Sequence, residues 1–322
     1  MRGFVSPYIL SALITKLAGQ NALEFARREL FGPLGITDVD WGRPDAQNVV
    51  NGQSHLFLLP QDMAKLGYLY LHNGEWDGKQ IIPASWVERA GSGVIDAGYG
   101  GFRYANLWWS LPGEGAYLAW GAHDQLIVAI PGADIVAVLT AALPNGTISP
   151  NDLVDYIVKC VRANKDSPPD LKGESRLDSA LQSAARERPD TVEDPSPLAK
   201  QISGKSYDFD DNALRLKTLS LNLIGPNPTW SLSREKSATD KSVKTLNGPL
   251  GLDGVYPEGA PQEGVPIAKG RWLSETSFEV QSRVLGHGEI DNWVAGFRGA
   301  AIDLHFQNNE GFVADLRGTM RQ

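Results

Sequence analysis

Residues Ala116–Ala142, AYLAWGAHDQLIVAIPGADIVAVLTAA, decide the fold. Two apolar runs, Leu126–Pro131 and Ile135–Ala142, are joined by a Pro-Gly-Ala-Asp sequence that is typical of a turn. Each run is continuously hydrophobic, which predicts strands covered on both faces, as central strands under helices are. The polar turn before them is where we expect chemistry, and it carries His123, Asp124 and Gln125.

Composition places the chain among globular proteins. It has 322 residues, enough for two domains, with 42% hydrophobic and 21% charged residues. The formal net charge of -8 argues against nucleic acid or anionic membrane as a partner, because those partners require clustered Lys and Arg. The longest apolar region, Leu126–Leu143, is interrupted by Pro131 and Asp134, so it predicts two strands and no transmembrane segment. No secretory signal is recognised at the start.

The single cysteine, Cys160, cannot form an internal disulfide, and its place on an apolar helical stretch predicts a small buried thiol.

Helical periodicity recurs through the first half of the chain. Apolar residues three and four apart predict a helix over Ile9–Leu17 with several of its leucines and isoleucines inward. Proline and glycine punctuate further helices, and Gly74–Gly78 is a tight turn. The further predicted helices are Ala22–Leu30, one from Gln61 to Leu71, Pro83–Ala90 and Asp152–Ala163.

Composition changes after residue 164. Residues 165–200 are rich in Pro, Ser, Asp, Glu and Arg, which predicts a linker with one short helical candidate, Arg176–Arg188. From residue 201 to 322, short alternating runs separated by Gly, Pro and Asn predict a second, all-β domain of small barrel or sandwich type.

Several segments, taken in order, resemble one known family, the serine β-lactamase-like hydrolases. This group contains penicillin-binding-protein-like esterases, carboxylesterases, D-aminopeptidases and 6-aminohexanoate-dimer hydrolases. The resemblance covers about residues 4–163, and residues 202–272 are similar to the β-domain appended in some members. The segments that carry it are Phe31–Ile36, Leu59–Leu71, Gly74–Ile82, Trp86-Val87, Tyr99-Gly100, Trp108-Trp109 and Gly121–Val128.

The resemblance implies an α+β fold, an antiparallel sheet with helices, over residues 1–164. It also implies acyl transfer to a Ser from a Ser-x-x-Lys helix, with the Lys and a Tyr from a Tyr-x-Asn-type turn taking the proton. A Lys-Thr-Gly or His-x-Gly strand would hold the substrate carboxylate and help to form the oxyanion pocket. A Ser hydroxyl needs such a base within hydrogen-bond reach, because it is a weak nucleophile at neutral pH.

The nucleophile helix of the family has no counterpart that we recognise. It should precede residue 1, so the sequence is interpreted as a β-lactamase/transpeptidase-like domain lacking its N-terminal part. The one literal Ser-x-x-Lys, Ser233–Lys236, lies in a polar stretch of the β-domain without an apolar helix, which favours a chance match. Two accounts stay open: an N-terminally incomplete member, or a natural non-catalytic relative that keeps the pocket wall.

Candidate site residues follow from the two remaining motifs. Ala122-His123-Asp124 occupies the Lys-Thr-Gly position with the His one place late, so His123 is a candidate catalytic residue or a structural histidine in a turn. Tyr8 is a remnant of the Tyr turn or a packing residue at the start of a helix. Trp108 and Trp109 line an acyl-binding cleft or belong to the core. The candidate substrate-binding residues are Trp108, Trp109, Ala122, Asp124, Gln125 and Tyr8.

We therefore expect a serine hydrolase acting on a carboxylic ester or small amide through an acyl-serine. Ala122 cannot replace the Lys that would pair with a β-lactam carboxylate, so a lactam is the less favoured substrate. The alternative is a non-catalytic ligand-binding or cell-envelope accessory module. We assign no cofactor and no metal, since the Asp-rich turn at residues 208–211 lacks the Gly and distal Glu of a calcium loop. Family resemblance suggests a periplasmic or secreted location.

Overall fold

The computed structural model describes residues 5–143, 146–164, 171–184, 188–192, 195–257, 266–285 and 288–321. The chain forms two compact units, Met1–Ser167 and Pro168–Gln322, each with its own apolar core. No helix among these described ranges is both long enough and apolar enough to span a bilayer.

The N-terminal unit contains five helices and ten strands among its described residues. The helices are α1 (Val5–Ala18), α2 (Ala22–Ala26), α3 (Pro60–Leu71), α4 (Ala84–Ser92) and α5 (Pro150–Asn164). The strands are β1 (Val39–Asp40), β2 (Phe57–Leu58), β3 (Glu75–Trp76), β4 (Lys79–Gln80), β5 (Ile95–Asp96), β6 (Arg103–Ala105), β7 (Trp108–Leu111), β8 (Ala116–Gly121), β9 (Gln125–Ile130) and β10 (Ile135–Leu139).

Six of these strands form one antiparallel sheet in the order β10-β9-β8-β7-β6-β5. Its two faces bury different helices. On one face Leu118, Val128 and their neighbours form a core with Val154 and Val158 of α5. On the other face Ile127 packs with residues of α3 and α4. The unit is therefore a helix-covered antiparallel sheet, as the sequence predicts.

The predicted strand pair is present, but its two members differ in position. β9 lies inside the sheet between β8 and β10, and its last five residues are buried. β10 is the edge strand of the described sheet and is half-buried along its length. The expectation of two central strands is therefore correct for β9 and wrong for β10, because continuous hydrophobicity also occurs in an edge strand whose two faces are both partly covered. Val136 packs with residues of α3 on one face, and Ala137 and Leu139 pack against the core that includes α5 on the other.

The first helix also differs from expectation. α1 extends beyond the predicted span, yet the apolar residues expected inward are largely at the surface, with Ile9 50% and Leu17 83% exposed. Its buried side chain is Ser11, whose Oγ donates to the carbonyl oxygen of Val50 at 2.7 Å. Periodicity identified a helix here, but it did not identify the face that packs.

Cys160 is exposed on α5, which corrects the expectation of a buried thiol. The helix buries Val154 and Val158 against the sheet. Residue 160 lies two positions after Val158, about 200° around the helix, and so falls outside the packed stripe.

The C-terminal unit contains a closed barrel of nine strands. Two helices precede it, α6 (Leu171–Ala184) and α7 (Ala199–Ile202). The strands are β11 (Ser206–Phe209), β12 (Leu216–Asn222), β13 (Thr229–Glu235), β14 (Val243–Gly251), β15 (Ile267–Ser274), β16 (Ser277–Arg283), β17 (Ile290–Arg298), β18 (Ala301–Asn308) and β19 (Val313–Met320).

The barrel closes where β11 pairs with β19, and its neighbours are antiparallel except at one place. β14 and β15 run parallel, joined by two residue pairs, Leu250 with Ala268 and Gly251 with Lys269. The interior is lined by alternate side chains of each strand, among them Phe278, Ile302 and Leu304, which are almost fully buried. The expected small barrel or sandwich is thus a barrel.

The segment interpreted as a linker contacts the barrel unit near its end. The backbone N–H of Asp190 donates to the carbonyl oxygen of Asp253 at 2.7 Å, and Ser196 Oγ donates to that of Glu275 at 2.7 Å. Ala199 is completely buried in the barrel core. The helical candidate of this segment corresponds to α6, which begins at Leu171.

Candidate functional site

The turn between β8 and β9 is the candidate site. Gly121 and Gln125 form the last residue pair of the two strands, and a single 3₁₀ turn of three residues closes the connection. His123 and Asp124 have positive φ angles of 60° and 63°, a conformation that a few per cent of non-glycine residues adopt. The backbone of this turn is therefore sharply bent, and Asp is among the residue types that tolerate the left-handed region best.

Asp124 is completely buried at the centre of the turn. Its Oδ1 accepts a hydrogen bond from the backbone N–H of Gly146 at 3.1 Å, and Oδ2 accepts one from Ile148 at 2.9 Å. Two hydrogen bonds to backbone N–H groups compensate for the removal of a carboxylate from water. Asp124 thus binds the segment that leads to α5.

Gln125 binds the same segment from the first position of β9. Its Nε2 donates to the carbonyl oxygen of Ala141 and, at 3.2 Å, to that of His123. Its Oε1 accepts from the backbone N–H of Ala141 at 3.4 Å. The amide therefore pairs with both backbone groups of one residue, which fixes the chain just after β10.

His123 is half-buried, and its Nδ1 lies 3.1 Å from the carbonyl oxygen of Leu143. A carbonyl oxygen can only accept, so Nδ1 carries the hydrogen, and in the neutral imidazole the lone pair belongs to Nε2. This tautomer is the one that a general base acting through Nε2 requires. Through the same hydrogen bond, His123 joins Asp124 and Gln125 as the third side chain of the turn that binds the chain after β10.

The two tryptophans lie on opposite faces of the sheet. Trp108 is buried with Ile127 on the α3 face, where its ring centroid is 4.1 Å from that of Tyr70. Trp109 packs in the core on the α5 face, with centroid distances of 5.9 Å to Trp120 and 6.0 Å to Phe102. Successive residues of a strand point to opposite faces, so these two side chains do not line one cleft.

Of the other candidates, Ala122 lies in the turn, whereas Tyr8 and the literal Ser-x-x-Lys lie elsewhere. Tyr8 is on α1, where its hydroxyl donates to the Asp45 carboxylate, which raises the pKa of the Tyr8 phenol and lowers that of Asp45. Ala122 is exposed in the turn. Ser233 belongs to strand β13 of the barrel, and its Oγ is 2.8 Å from Thr245 Oγ1, so the literal Ser-x-x-Lys is not on a helix. The structure brings together Ala122, His123, Asp124 and Gln125 in the β8–β9 turn, and it places the other predicted site residues elsewhere.

Sequence reasoning missed the partners of this turn, which are backbone groups of residues 141–148. No side-chain pattern predicts these partners, because every sequence has backbone carbonyl and N–H groups. The groups used here are the carbonyl oxygens of Ala141 and Leu143 and the N–H groups of Gly146 and Ile148. The one indirect signal is the position of Asp124 next to a continuous apolar strand. A carboxylate buried at such a position requires hydrogen-bond donors, so the sequence indicates that donors are present without identifying them. Within the described ranges, no group of three or more His, Cys, Asp and Glu residues is arranged to hold a metal ion.

No known family profile matches the chain, and no curated protein matches its sequence. Among solved structures, it is similar to a Bacillus anthracis protein provisionally named as a 6-aminohexanoate-dimer hydrolase, with a TM-score of 0.44, 24% identity, and 52% of this chain covered. The match spans 45% of that protein. The fluorescent protein UnaG and a mutant of it each match with a TM-score of 0.27 and 10% identity, over 39% and 38% of this chain and 99% and 97% of theirs. All three TM-scores are below 0.5, so no assignment rests on them.

Proposed function

We propose that the N-terminal unit is a hydrolase domain of the β-lactamase-like type that acts on a carboxylic ester or small amide through an acyl-serine. In this proposal the β8–β9 turn forms one wall of the acyl pocket, and His123 is its polar side chain. The resemblance of residues 4–163 supports the family, and the helix-covered antiparallel sheet agrees with the fold that the resemblance implies.

The hydrogen bond of His123 is the observation that supports a role for a particular residue. His123 donates from Nδ1 to Leu143, which leaves the lone pair of the neutral imidazole on Nε2, and it lies beside a buried strand where the family has its third motif. A hydrogen-bonded Nδ1 orients the ring and fixes which nitrogen can accept a proton or a hydrogen bond. His123 would then position the leaving group or a substrate carbonyl, and the serine would come from a Ser-x-x-Lys segment that we do not recognise in this sequence.

A fluorophosphonate probe and a penicillin test the proposal, because either reagent forms a covalent adduct with a competent serine. The 322-residue chain is treated with each reagent, and its intact mass is measured. We expect no adduct, since we recognise no Ser-x-x-Lys helix in the sequence and Ser233 of the one literal match lies on a strand of the barrel. An adduct would contradict the absence of a nucleophile and would require peptide mapping to assign the serine.

Turnover is measured on a chain extended by whatever residues its gene encodes upstream, with an activated ester as substrate. We expect His123→Ala to lower kcat/KM about 100-fold to 1,000-fold, the range of a lost hydrogen-bonding or proton-transfer group. His55→Ala, an exposed histidine of the loop between β1 and β2, is the matched control and should leave the rate unchanged. An unchanged rate in His123→Ala would remove this residue from the site.

A second candidate is a ligand-binding or accessory module without turnover. It is favoured by one observation: His123, Asp124 and Gln125 all hydrogen-bond to residues 141–148, as side chains with a structural role do. Under this candidate, the extended chain should fold cooperatively and show no ester turnover above that of His123→Ala.

A further inference from the structure

The barrel of the C-terminal unit contains a narrow, largely apolar cavity. Its empty space is about 470 Å³, a value that includes the solvent at its mouth, and the centre of a water-sized sphere fits into about 30 Å³ of it. The walls are therefore close together, and the space has the form of a slot. It is lined chiefly by aliphatic and aromatic side chains, including Leu219, Leu221, Trp230, Leu232, Val280 and Trp293.

Strand number explains why this barrel has space left inside it. Barrel diameter grows with the number of strands, and eight strands give an interior that side chains just fill or that holds one small ligand. This barrel has nine strands. Several inward positions also carry small residues, since Ala268 and Ala295 line the cavity and Gly248 pairs with Trp230 on the inner face.

The two tryptophans that line the cavity differ in their hydrogen bonding. The indole Nε1–H of Trp293 donates to Ser282 Oγ at 3.2 Å. Trp230 is 4% exposed, and its Nε1–H has no acceptor among the described residues. A buried N–H without a partner is unfavourable and uncommon in folded proteins, so this donor calls for an acceptor.

Water explains the free donor poorly. A buried water typically makes about three hydrogen bonds to polar groups, whereas the polar side chains among the lining residues are the two tryptophans and Ser282, whose hydroxyl already accepts from Trp293. A thin apolar molecule with one acceptor would fill the slot and accept from the N–H at the same time. The known preference of small-molecule sites for apolar walls with few polar groups agrees with this arrangement.

We propose that the barrel cavity is a binding site for a flat, uncharged, largely apolar molecule that carries one carbonyl oxygen, which accepts the Nε1–H of Trp230. The site is independent of the proposed hydrolase activity, because all of its lining residues belong to the C-terminal unit. The apolar faces of the molecule would lie between the aliphatic and aromatic walls of the slot.

The probe for this site is prodan, a flat, uncharged naphthyl ketone whose emission moves to the blue in an apolar environment. We expect one prodan per chain with blue-shifted emission in the full-length protein. Trp230→Phe keeps most of the ring and removes the N–H, so it should weaken prodan binding about 3-fold to 10-fold, the effect of one neutral hydrogen bond. The same variant should not weaken binding of 2-dimethylaminonaphthalene, which lacks the carbonyl.

Two further variants locate the probe. Trp272→Phe changes a partly buried tryptophan of β15 that does not line the cavity, and it should leave prodan affinity unchanged. Leu13→Ser changes the exposed apolar surface of α1 and should also have no effect. Ala268→Leu, which fills the slot, should abolish binding, provided that its circular dichroism spectrum and thermal unfolding show a folded barrel.

The proposal fails if the folded wild-type protein does not bind prodan. It also fails if Leu13→Ser removes the signal, because the probe would then lie on α1. Equal prodan affinity in the wild type and Trp230→Phe would overturn the role of the indole N–H, and a folded Ala268→Leu that still binds the probe would place it outside the cavity.

Discussion

The imidazole of His123 and the backbone of Leu143 are joined by a hydrogen bond of 3.1 Å from Nδ1 to the carbonyl oxygen. This contact connects a turn at the start of β9 with chain that follows β10. Asp124 and Gln125 make equivalent connections to residues on either side of Leu143. The turn and residues 141, 143, 146 and 148 therefore form one hydrogen-bonded unit, and perturbing either part should affect the other.

Asp124→Ala should destabilise the N-terminal unit by about 2–4 kcal/mol. The substitution removes the acceptor of the N–H groups of Gly146 and Ile148, and each hydrogen bond to a charged group contributes about 1.5–3 kcal/mol, less where water can replace the acceptor. Chemical denaturation followed by circular dichroism measures the loss. Asp124→Asn keeps one acceptor and tolerates the left-handed backbone, so it should cost less than Ala.

Asp155→Ala is the control for this measurement. Asp155 is a half-exposed residue of α5 that pairs with Lys159 at the surface, and removing it should change stability by less than about 0.5 kcal/mol. A loss in Asp124→Ala no larger than in this control would show that the turn does not depend on its buried carboxylate.

Gly67→Ala tests how closely α3 approaches the sheet. A Cβ at residue 67 would lie 2.5 Å from Val136 Cγ1 and 2.8 Å from Ile127 Cγ2, far inside van der Waals contact. Alanine is favoured over glycine in a helix by about 1 kcal/mol, but overpacking costs about 1–3 kcal/mol, and contacts this short belong to the upper part of that range, so we expect a net destabilisation that approaches about 2 kcal/mol.

Val136→Ala combined with Gly67→Ala should recover part of that loss, because it removes one of the two obstructing groups. Gly113→Ala, with nothing within 4 Å of the added Cβ, should be neutral. A Gly67→Ala protein as stable as the wild type would mean that α3 lies farther from the sheet than the structure shows.

Asp291 makes the stability of the barrel depend on pH. It pairs in register with Ser282, a lining residue of the cavity, and therefore faces the interior. Burial, with a contribution from Glu289 that Arg234 opposes, raises the pKa of Asp291 to about 6 from 3.8. Between about pH 4 and pH 6 the folded chain thus holds more protons than the unfolded chain, and the stability contributed by this group falls as pH rises through that window.

Asp291→Asn should accordingly stabilise the barrel at pH 7.5 by about 1–2 kcal/mol. This is less than the free energy that the whole pKa shift would correspond to, because solvent screens the partly exposed carboxylate. At pH 4 the substitution should be nearly neutral, since the wild-type side chain is then protonated. Thermal unfolding of both proteins at the two pH values measures the difference. Equal effects at both values would show that the pKa of Asp291 is ordinary.

Cys160 should react with a thiol reagent in the folded protein. Its side chain is exposed on α5, and no other cysteine is present in the sequence. We expect one equivalent of thiol to react with Ellman's reagent without denaturant, and none in Cys160→Ser. A reaction that requires guanidinium would show that the residue is buried, as its sequence context suggested.

Local signals in the sequence predicted most of the elements near the site. The amphipathic patterns of α3 and α5 and the turn between β9 and β10 each depend on residues close together in the chain. The opposite faces of Trp108 and Trp109 could also have been predicted, because a strand alternates its side chains.

Non-local contacts could not be predicted in this way. The role of Asp124 depends on N–H groups more than twenty residues later, and the exposure of Leu17 depends on what packs against α1. The unpaired donor of Trp230 depends on the positions of nine strands around it. Each of these features arises from the folded geometry, and periodicity carries no information about it.

An odd number of strands has a consequence of parity for the barrel. A closed barrel in which every pair of neighbouring strands is antiparallel needs an even number of strands. A barrel of nine strands must therefore include at least one parallel pair. Here β14 and β15 form that pair, and they share two residue pairs, fewer than any other neighbours in the barrel. One of the residues at this seam is Ala268, which also lines the cavity. The β14–β15 pair is therefore where we expect the barrel to open locally first. Amide hydrogen exchange should be faster there than at the other pairs of neighbouring strands.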